Sequence, residues 1–138
     1  MPTEAQRKNA AGLVGDLVCS MLAVNQMPLD RVCRLRGRLA EQGLFDAHHL
    51  AEMTHAEVYE ALRTAGYDKA DYVVGLLVQR LQDLGRRLCS NNALETLFDL
   101  SRVGGRPLDD FLLGIKGVGP VVLQNFHSLS ASHDDAPT

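Results

Sequence analysis

The chain has 138 residues, 46% of them hydrophobic and 22% charged, a balance that suits one compact domain with a buried core and excludes a charge-dominated disordered chain. Its formal net charge of -3 excludes the uniformly basic composition of a protein that coats nucleic acid non-specifically, so the placement of charge matters more than its sum. The three cysteines, Cys19, Cys33 and Cys89, lie far apart with no Cys-x-x-Cys pair, which argues against a disulfide framework or a zinc or iron–sulfur site and for reduced core thiols.

Nothing in the sequence alternates apolar and polar residues over strand lengths, whereas helical spacing recurs from end to end. The expected fold is all-α, a compact multi-helix orthogonal bundle over residues 1–129, followed by a polar, disordered tail over 130–138. The start, Met1 to Lys8, lacks the apolar run of a signal peptide, and no apolar stretch is long enough to span a bilayer. A soluble cytoplasmic protein is expected, nucleoid-associated if bacterial, without a membrane partner.

The first helix is expected from about Asn9 to Val24, with Leu13, Leu17, Met21 and Val24 on one stripe beside Val14 and Val18; apolar on most sides, it should be central. Asn25-Gln26-Met27-Pro28 breaks it, and Pro28 suits the first turn of a second helix that runs to about Gln42 and stops at Gly43. Phe45 to Leu50 reads as a short helical turn. Thr54-His-Ala-Glu57 is a capping box that opens a helix ending near Ala65-Gly66. Asp68 is placed to cap a long helix to Leu88 whose buried stripe is Val73, Leu76, Leu77, Leu81, Leu84 and Leu88. Asn91-Asn92 opens a helix to about Leu100, and Gly104-Gly105-Arg106-Pro107 is a loop before the last helical pair.

That pair carries the strongest motif. In Leu112 to Phe126, Leu112, Leu113 and Ile115 are separated by Gly117-Val118-Gly119 from a second helix bearing Val121, Val122, Leu123 and Phe126. The glycines permit a tight turn, Pro120 is preset for a helix start, and the amides at that start lack internal acceptors. Amides and helix dipole together favour an anion, and a DNA phosphate is the natural occupant; Lys116 adds charge without reading base sequence. A plain inter-helix turn, with glycines serving only close packing, is the competing reading. The arginines at 31, 34, 36 and 38, at 80, 86 and 87, and at 102 and 106 are each either a solvated helix face or further phosphate contacts.

This hairpin resembles that of the endonuclease III superfamily of DNA glycosylases, the HhH-GPD group named for a helix-hairpin-helix, a Gly/Pro-rich loop and a catalytic Asp. Two upstream segments are similar as well. Leu17 to Val32 looks like the family's early helix and loop, which implies that Gln26 fills the space left by an extruded nucleotide; Asp30 also falls where that segment often carries an Asp. Gly66, Tyr67, Lys69 and Ala70 match the family's Gly-aromatic-x-x-Lys-Ala segment. The likeness covers about residues 10 to 127 and implies an endonuclease III-like helical fold.

The chain departs from the family where chemistry is concerned. Bifunctional members carry a Lys two residues after the last hairpin glycine, and here that position is Val121, which removes the Schiff-base nucleophile. The only carboxylates in range of the catalytic Asp are Asp134 and Asp135, set among polar residues that neither fix them nor tune their pKa. The cysteine count excludes the family's four-thiolate cluster. No metal site is expected from His48-His49 or from His127 and His133, and the one cofactor the resemblance implies is a monovalent cation at the hairpin.

These readings converge on a protein of the base-excision-repair superfamily that grips double-stranded, damaged or distorted DNA through Lys116, Gly117, Val118 and Gly119. Arg36 and Arg106 would extend the contact and Gln26 would probe the step, without glycosylase chemistry. A monofunctional glycosylase acting on damaged bases, and an interaction module completed by a protein partner or a second copy, remain open alternatives.

Overall fold

The structure, a computed structural model, describes the backbone of residues 4–24 and 27–134 and the side chains of 12–24 and 27–129. Among the described residues the fold is all helical, with no strand. The helices are α1 (Glu4–Leu22), α2 (Leu29–Arg34), α3 (Arg36–Glu41), α4 (Ala47–Glu52), α5 (His55–Thr64), α6 (Asp71–Leu88), α7 (Ala93–Val103), α8 (Arg106–Leu113) and α9 (Pro120–Asp134). The last turn of α9 overlaps the segment set apart by its polarity.

The apolar spacing of α1 buries Val14, Leu17, Val18, Met21 and Leu22, and the helix packs against α2, α3, α6, α7 and α9. Its C-terminal carbonyls, which have no partner within the helix, are met by side chains from distant sequence. Asn125 Nδ2 of α9 donates to the carbonyls of Ser20 (3.3 Å) and Ala23 (3.2 Å), and the buried Tyr67 hydroxyl donates to that of Leu22 at 2.7 Å. These bonds fix α9, and the loop that enters α6, on the end of α1.

The single helix expected from Pro28 to Gln42 is interrupted at Leu35, whose amide bonds to Val32 in a tightened turn of 2.9 Å. The interruption coincides with the inward course of Arg36, which reaches Asp16 of α1. Pro28 caps α2 from an extended conformation rather than joining it.

α4 is capped by Asp46, whose carboxylate accepts from the amides of His48 and His49. The capping box of α5 forms as read from the sequence: Thr54 Oγ1 accepts from Glu57 N at 3.2 Å, and the Glu57 carboxylate from Thr54 N at 2.9 Å. The latter bonds hold the Glu57 carboxyl below its usual range.

Asp68 does not cap α6. It pairs with Arg31 of α2 at 2.5 Å, and the helix opens three residues later from Ala70. The buried side of α6 is Val73, Val74, Leu77, Val78, Leu81, Leu84 and Leu88, so Leu76 faces outward and is 47% exposed. Residues 72, 75, 76 and 79 fall on the side of the helix opposite that apolar arc, which explains why an apolar Leu76 lies outside the stripe. Gln82, polar but buried, donates to the carbonyl of Met53 at 2.9 Å and helps join α6 to the end of α4. α7 continues to Val103, and α8 begins at Arg106 with Pro107 in its first turn, so the loop between them is Gly104-Gly105 alone.

Candidate nucleic-acid interface

The chain between α8 and α9 is a six-residue turn, 114–119, that the core holds from below. Leu112, Ile115, Val118, Val122 and Phe126 are all buried, and this apolar spacing anchors both arms and the turn itself. Ile115 N donates to Leu112 O at 3.0 Å and Val118 N to Ile115 O at 3.1 Å, which tightens the descent from α8. Gly117 has φ +91°, a conformation costly for any residue with a Cβ, and a Cβ there would lie 3.2 Å from Arg80 Cδ and 3.3 Å from Met21 Cε. The positive φ is what calls for glycine at residue 117, and a side chain there would also press on the Arg80 stem and the Met21 methyl.

Beyond Gly117 the turn opens outward. Nothing lies within 4 Å of where a Gly119 Cβ would be, and Val121 is 61% exposed. The first intrahelical bond of α9 runs from Leu123 N to Gly119 O at 2.9 Å, so the amides of Gly119, Val121 and Val122 precede it. Across the turn, His127 Nε2 meets Asp109 Oδ1 at 2.7 Å and clamps α9 to α8.

The charges around the turn come mainly from α6. Arg80 lays its aliphatic stem under Gly117 and takes part in no ion pair among the described residues. Lys116 is 78% exposed, with its ammonium 3.8 Å from Asp83 Oδ2, an oxygen that is buried and has no hydrogen-bond partner. Arg87, two turns along α6 from Arg80, stacks over the ring of Phe111 in α8 at 5.5 Å.

No protein-family model, curated protein or solved structure matches the chain.

The residues singled out in the sequence are not all brought to one place. Lys116, Gly117, Val118 and Gly119 share the turn, although the Val118 side chain points into the core and its amide serves the turn. Arg36 serves the interior instead: its guanidinium lies 2.8 Å from the carboxylate of buried Asp16, donates to Gly12 O at 3.2 Å and stacks over Phe45. Arg106 starts α8, at the end of that helix away from the turn, and pairs loosely with Asp110 at 3.9 Å. Asp134 is the last residue of α9; Asp135 and Gln26 lie outside the described residues. In the sequence Arg80 is one arginine among several, a solvated residue or a phosphate contact; its place under Gly117 depends on packing across 37 positions and has no local signal.

Elsewhere, polar clusters are structural. Asp71 at the start of α6 accepts from the Tyr59 hydroxyl (2.5 Å) and from Arg63 (2.6 Å), and these bonds, the former foremost, hold its carboxyl below the usual range. Arg63 also donates to Tyr67 O at 3.1 Å, so the α5–α6 loop is tied down. Burial pushes the Cys19 thiol up to about 12 against the opposing pull of Arg36, and raises Cys33 and Cys89 as well. All three stay protonated at neutral pH and make poor nucleophiles. Among the described residues no three His, Cys, Asp or Glu side chains converge as metal ligands would, and no helix is long and apolar enough to cross a membrane.

Proposed function

We propose that this protein binds double-stranded DNA by gripping backbone phosphates with the α8–α9 turn, used as a helix-hairpin-helix of the endonuclease III kind, without glycosylase or lyase chemistry of its own. The observation that carries the reading is the open start of α9: three amides ahead of the first helical bond, with Arg80, which makes no ion pair among the described residues, packed beneath the same turn. Amides and a helix dipole attract a phosphate oxygen, and Arg80 and Lys116 add Coulomb attraction that is indifferent to base sequence. Val121 stands where a lyase would carry its lysine, so the turn supplies contact and no covalent step. The monovalent cation that the family resemblance implies would be held by turn carbonyls such as that of Ile115, which accepts one amide and keeps a second lone pair. No part of the phosphate contact depends on it.

The test is a fluorescence-anisotropy titration against a blunt duplex at two salt concentrations, comparing the native chain with Val121→Asp. The site is exposed, and an acidic residue in the first turn of a helix favours the fold, so the variant keeps its structure while placing a negative charge where the phosphate would sit. Binding about tenfold weaker and a shallower salt dependence are expected. Equal affinity of the two proteins would refute the phosphate site, and base release from a lesion-bearing duplex by the purified chain would replace this reading with an enzymatic one.

A further inference from the structure

Gly75 and Gly85 lie on the same helix for different reasons. A Cβ at Gly85 would strike the backbone of α4, whereas one at Gly75 would meet nothing within 4 Å. A glycine in a helix interior costs roughly 0.5 to 1 kcal/mol relative to alanine, and at Gly75 no packing among the described residues offsets that cost. Its surroundings suggest what does. Tyr72, one turn earlier, is 81% exposed; Leu76 is half exposed; and one turn further on Arg80 runs under Gly117 of the α8–α9 turn. Helical spacing sets Tyr72, Gly75 and Leu76 on one side of α6, so an aromatic ring, a bare stretch of backbone and an aliphatic side chain lead in order to the Arg80 guanidinium and the amides of the turn.

This strip offers flat apolar contact and close approach. A paired duplex turns phosphates and sugar edges outward and gains little from a tyrosine and a leucine. An unpaired nucleotide presents the face of its base, which stacks on aromatic rings with little regard to sequence. We propose that the Tyr72–Gly75–Leu76 face of α6 takes the unpaired nucleotides of a DNA strand whose phosphates the α8–α9 turn holds, making a duplex with a single-stranded extension the preferred ligand. The proposal rests on the phosphate-gripping reading above. From Arg80 to Tyr72 the helix rises about 12 Å, the length of about three to four stacked nucleotides, so the advantage of an extension levels off at about four.

The experiment compares dissociation constants for a blunt duplex and for the same duplex with two-, four- and eight-nucleotide extensions, at one salt concentration. The proteins are the native chain, Tyr72→Leu, Gly75→Leu and Val121→Asp, each checked for folding by thermal melting. Tyr72→Leu removes the aromatic face, and Gly75→Leu fills the open side of the helix with a better helix former. The native chain is expected to prefer the four-nucleotide extension about tenfold over the blunt duplex, with no further gain at eight. Both α6 variants should lose that preference while binding the blunt duplex as the native chain does. Val121→Asp should weaken every DNA alike. Equal binding of all DNAs by the native chain, or a preference that survives in Tyr72→Leu, overturns the proposal and leaves the duplex reading intact. Absence of binding to any DNA overturns both. A native dimer that becomes monomeric in Tyr72→Leu, with DNA preference unchanged, assigns the face to a second copy instead.

Discussion

Replacing Gly85 and Gly75 by alanine, one at a time, turns the packing of α6 into a measurement with two signs. At Gly85 the new Cβ would lie 2.8 Å from Ala51 N, 3.1 Å from Ala47 O and 3.1 Å from the Leu50 carbonyl carbon, roughly 0.6 Å short of ordinary contact at its closest. All three obstacles are backbone, so no rotamer change relieves them and α6 must draw away from α4. Leu81, Leu84 and Leu88 on α6 and Ala47 and Leu50 on α4 are all buried, and a gap of that size forfeits a quarter or more of their mutual dispersion energy. Overpacking of this kind costs about 3 kcal/mol at the upper end of its usual range, and the gain of alanine over glycine in a helix returns about 1. The net loss is about 2 kcal/mol. At Gly75 only the gain operates, and stability rises by up to about 1 kcal/mol. Urea unfolding followed by circular dichroism should separate the two midpoints by about 1.5 M with slopes unchanged. Shifts of the same sign, or a neutral Gly85→Ala, would refute the backbone-to-backbone crossing.

Asp16→Ala leaves the partly buried Arg36 guanidinium without its carboxylate and should destabilise the fold by about 2 to 4 kcal/mol, measured by the same urea titration; a loss under about 1 would mean that the pair is expendable. Burial pushes the Tyr67 phenol from its ordinary 10.0 up to about 12, so the folded chain holds that proton more tightly than the unfolded one. Stability is therefore full below pH 10 and falls as pH climbs toward 12, and Tyr67→Phe should flatten that stretch of the stability–pH curve. Asp83→Asn removes the carboxylate facing Lys116 and, because one oxygen of Asp83 lacks a hydrogen-bond partner, does so at small cost to the fold. DNA affinity should rise a few-fold and the salt slope steepen by about one phosphate's worth; unchanged affinity would place Lys116 outside the contact.

What could be read from the sequence depended on how far apart the interacting residues lie. The capping box at Thr54 and Glu57 and most of the inward stripe of α6 are local, and they form as expected. The failures are tertiary. Asp68 has the right chemistry and position for a cap, yet Arg31, 37 positions away, claims its carboxylate, and α6 opens from Ala70. The helix expected from Pro28 to Gln42 breaks where Arg36 turns in toward Asp16, which also removes Arg36 from the list of surface cations. Leu76 has the composition of a core residue, but the apolar arc of α6 passes beside it. Gly75 and Gly85 are the same letter on one helix, and only the approach of α4 tells them apart.

The net charge of -3 is a fact about the sum, and phosphate attraction depends on where cations are left uncompensated. Arg31, Arg34, Arg36, Arg63, Arg86, Arg106 and Lys116 each have a carboxylate within 4 Å, so their fields are partly offset close to the surface, loosely so where the pair is 3.8 to 3.9 Å apart as at Lys116. Among the described residues Arg80 and Arg87 have no such partner, and neither do Arg38 and Arg102. Arg80 and Arg87 lie on α6, seven residues apart and hence on one side of it, against the turn and against α8 respectively. Two of the uncompensated cations therefore lie along the helix that runs beneath the turn and the start of α9. At physiological salt the screening length is about 8 Å, shorter than the span of the molecule, so a phosphate at the turn responds to Arg80, Lys116, Asp83 and the helix dipole and hardly at all to the total. An acidic chain can hold DNA under those conditions, provided that the grip is confined to the turn.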